Sequence, residues 1–295
     1  MLTREILEQT RRLHIRTRRL VDGVFAGQYH SVFKGRGMEF ADVREYEPGD
    51  DVRSIDWNVT ARTGQPFVKR YVEERELTVM LLVDVSASGR FGTRDKPKVQ
   101  VATELCAVLA RSALANNDKV GLVLFTDRVE RYVPPQKGRQ RSMRVISEML
   151  SAAPRRTGTD IALALRFLNK VCRRRTVSFL VSDFIDADYE SSLRLVHRRH
   201  DVIPVCVRDE REQSLPDVGL MRFEDLETGR QMLVDTSAVH VREVFADVAQ
   251  KKLRQRERAF RSMGLDIVDV GIDGDYVHAL MRFFRHRERR LMEGR

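Results

Sequence analysis

No stretch of this sequence approaches the roughly 20 consecutive apolar residues that a helical membrane span needs. The segment Met1-Leu-Thr-Arg-Glu-Ile-Leu-Glu8 carries acidic residues and lacks an apolar core of signal-peptide length. A cytoplasmic protein without a membrane span is therefore expected. Cysteine is sparse: Cys106, Cys172 and Cys206 sit in apolar surroundings with no C-x-x-C spacing. That odd number argues against a disulfide framework and a structural zinc site, and fits reduced, buried thiols. No phosphate-binding glycine loop ending in Lys-Ser or Lys-Thr is present, so the chain is not expected to hydrolyse ATP itself. Also missing are a G-x-G-x-x-G after a strand, a G-x-S-x-G elbow and an H-E-x-x-H zinc helix.

What is present is an ordinary globular composition in 295 residues, with 42% hydrophobic and 33% charged side chains. That length suits one large α/β domain with appendages, or two small domains. The 53 Lys and Arg against 43 Asp and Glu leave a net charge of +10. Such a balance permits an acidic partner, whether nucleic acid, an anionic membrane surface or an acidic protein, without choosing among them. Basic clusters occur at Arg173–Arg175, at 251–256 and at Arg285–Arg290, the last two followed or interrupted by Glu; solvated helix faces explain them most simply.

The chain divides by texture. Residues 1–26 predict a helix, with Leu2, Ile6, Leu13 and Leu20 on one stripe and Gly27 ending it. Residues 27–76 predict a small β-rich module: glycines at 27, 35, 37 and 49 separate short runs such as Tyr29–Phe33 and Pro66–Tyr71. From 77 to 272 apolar strands alternate with amphipathic helices, and Thr228-Gly229 marks a hairpin between 220–226 and 231–235. A basic helix within 273–295 closes the chain. Repeated strand–helix alternation predicts an α/β fold, a doubly wound and mainly parallel sheet. Ligands of such sheets sit at the carboxyl ends of the strands, near the point where strand order reverses.

Three segments place oxygen-bearing side chains there. Asp84-Val-Ser-Ala-Ser88 follows the apolar run Leu77–Val83. Thr159 precedes the helix opened by Thr157-Gly-Thr-Asp160, and Asp183 follows the run Thr176–Val181. Carboxylates and hydroxyls clustered at a strand end suit a hard cation such as Mg²⁺, with Mn²⁺ an acceptable substitute. Each piece has a blander reading. Thr159 can simply cap its helix, and an Asp after a buried strand often caps the next one. Asp84 can also be read as a phosphoryl-accepting nucleophile, although Ser86 stands where a dehalogenase-like site wants a second Asp.

Taken together, Asp84, Ser86, Ser88, Thr159 and Asp183 resemble the metal-ion-dependent adhesion site of von Willebrand factor A domains, over about residues 77–270. Upstream, Gly35-Arg-Gly-Met-Glu-Phe-Ala-Asp-Val-Arg-Glu-Tyr-Glu-Pro-Gly-Asp50, Val52–Trp57 and Thr60–Thr63 are similar to the bacterial family called domain of unknown function 58. Its members join such a segment to a von Willebrand A-like domain. Many carry N-terminal transmembrane helices that this sequence does not show. The resemblance implies that Ser86, Ser88 and Thr159 offer hydroxyls to Mg²⁺, that Asp84 and Asp183 bind it directly or through water, and that a partner protein's Asp or Glu carboxylate takes the open position. It also implies a MoxR-type AAA+ ATPase as a partner, and an adaptor with no catalysis of its own.

The competing expectation is a basic nucleic-acid- or anion-binding protein with a structural metal site; a metal-dependent phosphohydrolase is a third. Nucleic acid is disfavoured, because the basic segment Arg131–Arg141, read as a loop, has one aromatic residue and no known module surrounds it. His197 and His200 form H-x-x-H among arginines and read as a solvated face. Arg44–Trp57 reads either as a docking surface or as charge pairs that seat the small module on the main domain.

Overall fold

The computed structural model describes residues 4–21, 26–33, 39–72, 76–93, 96–154, 156–186, 188–226 and 229–293. Leu2, Gly35, Gly37 and Thr228 lie outside the described residues. A six-stranded sheet forms the centre, in the order β10-β7-β6-β3-β4-β5. Its strands are β3 (Thr78–Asp84), β4 (Lys119–Phe125), β5 (Val129–Gln136), β6 (Val177–Ser182), β7 (Asp201–Arg208) and β10 (Val268–Gly271). All neighbours run parallel except β4 and β5. From β3 the chain first builds outward through β4 and β5, then returns to β6 on the other side. The order therefore reverses between β3 and β6.

The central strands are buried on both faces, which is why they read as unbroken apolar runs rather than alternating ones. Val79, Leu81 and Val83 of β3 face one layer, with α2 (Ala26–Phe33), α4 (Lys98–Ala115), α5 (Arg139–Leu150) and α9 (Tyr276–Glu293). Met80 and Leu82 face the other, with α6 (Ile161–Val171), α7 (Glu190–His197) and Phe260 of α8 (Val239–Ser262). Cys106, Cys172 and Cys206 are free and buried, as expected.

Some expectations need correction. Tyr29–Phe33 is helical, not β-like: its apolar residues at 29, 32 and 33 have helical spacing, and Tyr29 and Phe33 stack on Phe284 of α9. The small module is thus β1 (Glu39–Glu45), α3 (Trp57–Thr63) and β2 (Phe67–Val72), with β1 and β2 antiparallel. Among the described residues, Arg44 pairs with Asp50 and Lys69 with Asp56, both inside the module. Arg131–Gln136 is the edge strand β5, not a loop; Pro134 and Pro135 are tolerated there because an edge strand has a side that needs no donors.

The remaining elements are α1 (Arg4–Leu20), which lies against α4 and α5, and a hairpin of β8 (Leu220–Glu224) with β9 (Gln231–Asp235). His200 is fully buried with its Nδ1 2.9 Å from the Thr176 hydroxyl, so H-x-x-H is not a solvated pair. The C-terminal basic cluster is partly neutralised: Arg287 pairs with Asp201 and Asp266, and Arg290 with Asp266. Among the described residues no helix is long and apolar enough to cross a membrane.

Candidate metal centre

The reversal of strand order opens a crevice at the carboxyl ends of β3 and β6. Asp84 ends β3, and Asp183 directly follows Ser182 at the end of β6. Each carboxylate is only 7% exposed. Asp84 is fixed from two sides: Oδ1 accepts from the Ser86 amide at 2.9 Å and Oδ2 from the Ser182 hydroxyl at 2.8 Å. The Ser86 and Ser88 hydroxyl oxygens lie 3.0 Å apart. Thr159 is half-buried on a loop that backbone bonds draw to the same rim: the Ala87 amide donates to the Thr157 carbonyl at 3.0 Å, and the Asp160 amide to the Thr126 carbonyl at 3.1 Å.

The helix cap at α6 belongs to Asp160, whose Oδ1 accepts from the Leu163 amide at 2.6 Å. That removes the capping explanation for Thr159. A second carboxylate, Asp186, accepts from the Ile161 amide at 2.8 Å and fastens the loop after β6 to the same helix start.

Burial, reinforced by the neighbouring Asp183 charge, pushes Asp84 up to about 6, against the pull of hydrogen bonds from Ser86 and Ser182. Two buried carboxylates at one rim favour a cation between them. One resident cation is already near: the Lys98 ammonium donates to Asp183 Oδ2 at 2.6 Å and to Glu212 Oε1 at 2.5 Å. Burial alone would depress Lys98, but the Asp183 and Glu212 carboxylates outweigh it and hold the ammonium above its ordinary value. Arg256 of α8 donates to the Asp183 carbonyl at 2.6 Å. The chain turns sharply here through Phe184, whose φ of +57° is left-handed for a residue with a side chain. Its ring, packed on Tyr189 and Phe260, holds that turn in place.

The donor set fits a hard cation. A cavity of about 20 Å³, room for about one water or ion, is lined by Asp84, Ser88, Lys98, Ser182 and Asp183 among others. Among the described residues no group of three or more His, Cys, Asp or Glu is placed to hold a metal. Hydroxyls would therefore have to complete the shell, as Mg²⁺ accepts and softer metals do not. Ser86 and Thr159 do not line that cavity; Ser86 reaches it through its contact with Ser88.

Ser182, Lys98 and Glu212 are participants that the sequence reading did not single out. Ser182 had a signal, a polar residue ending an apolar strand beside Asp183. Lys98 had none, since a lysine opening a helix ordinarily lies in water.

A doubly wound sheet in this order, whose central strand runs out into Asp-x-Ser-x-Ser, has the architecture that the resemblance to von Willebrand factor A domains implies. The chain belongs to the family described as "Protein of unknown function DUF58", whose profile matches residues 42–257. The uncharacterized protein Rv1480 of Mycobacterium tuberculosis is 32% identical over 290 residues, covering 96% of this chain and 90% of its own. Among solved structures, an aerotolerance-related membrane protein from Bacteroides fragilis covers 72% of this chain and 99% of its own at 15% identity, with a TM-score of 0.49. The conserved hypothetical protein BatB from Bacteroides thetaiotaomicron covers 72% and 99% at 14% identity, with a TM-score of 0.45.

Proposed function

We propose that this chain is a metal-dependent protein-interaction adaptor without catalysis of its own. The observation that carries this reading is the pairing of buried Asp84 and Asp183 at adjacent strand ends, next to the Ser86–Ser88 hydroxyl pair. Ser86, Ser88 and Thr159 would hold Mg²⁺ or Mn²⁺ through their hydroxyls, and Asp84 and Asp183 directly or through water. A bound ion of this kind supplies an open position for an incoming carboxylate oxygen. The protein's own residues do the rest. Ser182 and the Ser86 amide fix Asp84, Phe184 sets the turn that aims Asp183, and the hydroxyls leave the site short of negative charge. A partner's Asp or Glu completes it.

A cleft of about 1030 Å³ opens beside Asp183 between the loop after β6 and α8. Ile185, 62% exposed, and Val248, 47% exposed, line it with Arg194 and Lys252. The cleft would receive the residues that flank the partner's carboxylate. From the family resemblance, a MoxR-type AAA+ ATPase is the first candidate partner, with the chain coupling it to a client in assembly or maturation.

The test is affinity capture from the source cell's extract, with Mg²⁺ or with chelator, using wild type, Asp84→Ala and Asp183→Ala. A protein retained only by wild type with Mg²⁺ supports the reading. Partners held undiminished through chelation and by both variants overturn it.

A further inference from the structure

Lys98 is buried to 3% exposure. Its ammonium bridges two carboxylates, Asp183 Oδ2 at 2.6 Å and Glu212 Oε1 at 2.5 Å. Asp183 is one of the five oxygen-bearing residues of the rim; Glu212 is not. Glu212 is independently anchored, because its Oε2 accepts from the Asp209 amide at 3.1 Å. Asp209 in turn accepts from the Thr93 amide and hydroxyl, each at 2.8 Å. The lysine therefore has a second, firmly held acceptor outside the five rim residues.

We propose that Lys98 sets the cation affinity of the rim by acting as an internal competitor: its ammonium shares Asp183 with the divalent ion and falls back on Glu212 when that ion binds. The proposal rests on the metal reading given above. Its physical basis is like-charge repulsion. A divalent ion at Asp183 and an ammonium 2.6 Å from the same carboxylate raise each other's energy, most of all where water is excluded. Among the described residues the other Asp183 oxygen is engaged only by the Ile185 amide at 3.3 Å, so it is the oxygen open to the ion, and the two cations meet on one carboxylate.

Two consequences follow. The rim holds its ion more weakly than two buried carboxylates alone would, so a partner carboxylate is needed to secure it. And the ion is coupled through Lys98 and Glu212 to residues 210–213, two of which, Glu212 and Gln213, also line the cleft beside Asp183.

The experiment uses the full chain, stripped with chelator and dialysed, with Mn²⁺ alone as the probe and its binding read by electron paramagnetic resonance of the free ion. Lys98→Met removes the competitor, and Mn²⁺ should bind at least about tenfold more tightly. Glu212→Gln keeps a neutral acceptor but removes the fallback charge, which leaves the ammonium mainly on Asp183, so Mn²⁺ should bind about tenfold more weakly. Asp183→Ala should abolish binding. If Lys98→Met binds Mn²⁺ no more tightly than wild type, Lys98 merely positions Asp183 and the proposal fails while the metal reading stands. Should Lys98→Met not fold, Glu212→Gln decides: affinity equal to or above wild type overturns the proposal. Absence of Mn²⁺ binding by wild type itself would overturn the metal reading, and this proposal with it.

Discussion

Replacing Ser182 by alanine tests whether the rim is built as described. The hydroxyl does two things at once: it donates to Asp84 Oδ2 at 2.8 Å and accepts from the Phe184 amide at 3.1 Å. Ser182 is 5% exposed and Asp84 is 7% exposed, so water does not readily replace either bond. A hydrogen bond to an ionised carboxylate contributes about 1.5–3 kcal/mol, and stranding a buried amide costs about 1–3 kcal/mol. The two overlap because one atom serves both, so Ser182→Ala should cost about 3 kcal/mol at neutral pH, where Asp84 is ionised. The left-handed turn at Phe184 also loses a restraint, which should loosen the aim of Asp183. Urea unfolding followed by far-ultraviolet circular dichroism measures the loss. Tryptophan fluorescence would not serve, since Trp57 is 66% exposed in the small module. Ser182→Thr keeps the hydroxyl and suits a strand, so it should recover most of the stability. A loss below about 1 kcal/mol for the alanine variant would mean that the hydroxyl is not the link that fixes Asp84.

The cap of α6 separates two neighbours: Asp160→Ala should cost about 1 kcal/mol of stability, whereas Thr159→Ala should lower Mn²⁺ affinity without unseating that cap, and a reversed pattern would return Thr159 to a capping role. Gly121→Ala would place a Cβ 2.7 Å from Met80 Sδ and 3.0 Å from the Val133 carbonyl oxygen and Pro135 nitrogen; a cost of about 1–3 kcal/mol is expected by calorimetry. The pH dependence has a definite sign at His200: burial first, then Arg199 and Arg175, hold its imidazole below its ordinary 6.5. The unfolded chain therefore takes up a proton that the native state refuses, and stability present above about pH 6.5 should fall as pH drops through the native value. His200→Gln should flatten that acid limb, and an unchanged limb would remove His200 as its source.

The sheet was legible because its strands are buried on both faces and its helices on one, which gives continuous and periodic patterns respectively. Asp84, Ser86, Ser88 and Asp183 were legible for a related reason: polar residues directly after apolar strands are conspicuous. Tyr29–Phe33 misled because eight residues hold little more than two helical turns, and its helical spacing serves a contact with Phe284, some 250 residues later in the chain. Lys98 and Glu212 were invisible for a deeper reason. Their burial depends on which loops the topology stacks over the rim, and no local pattern encodes that. Within the charged stretch Arg44–Trp57, Arg44 and Asp50 satisfy one another six residues apart, a pairing that a count of charges alone does not reveal.

The hydrogen bond from Ser182 to Asp84 joins residues 98 positions apart in sequence. The two halves of the rim do not meet until β3 and β6 have paired, and closing a loop of that length is slow and entropically costly before any contact compensates for it. A cation meeting the unfolded chain finds two isolated carboxylates, hardly better ligands than any others. On the metal reading, then, Mg²⁺ cannot guide the chain toward its fold. It arrives after the slow step and acts on the return journey, as a latch that lengthens the lifetime of the folded domain while leaving its rate of formation alone.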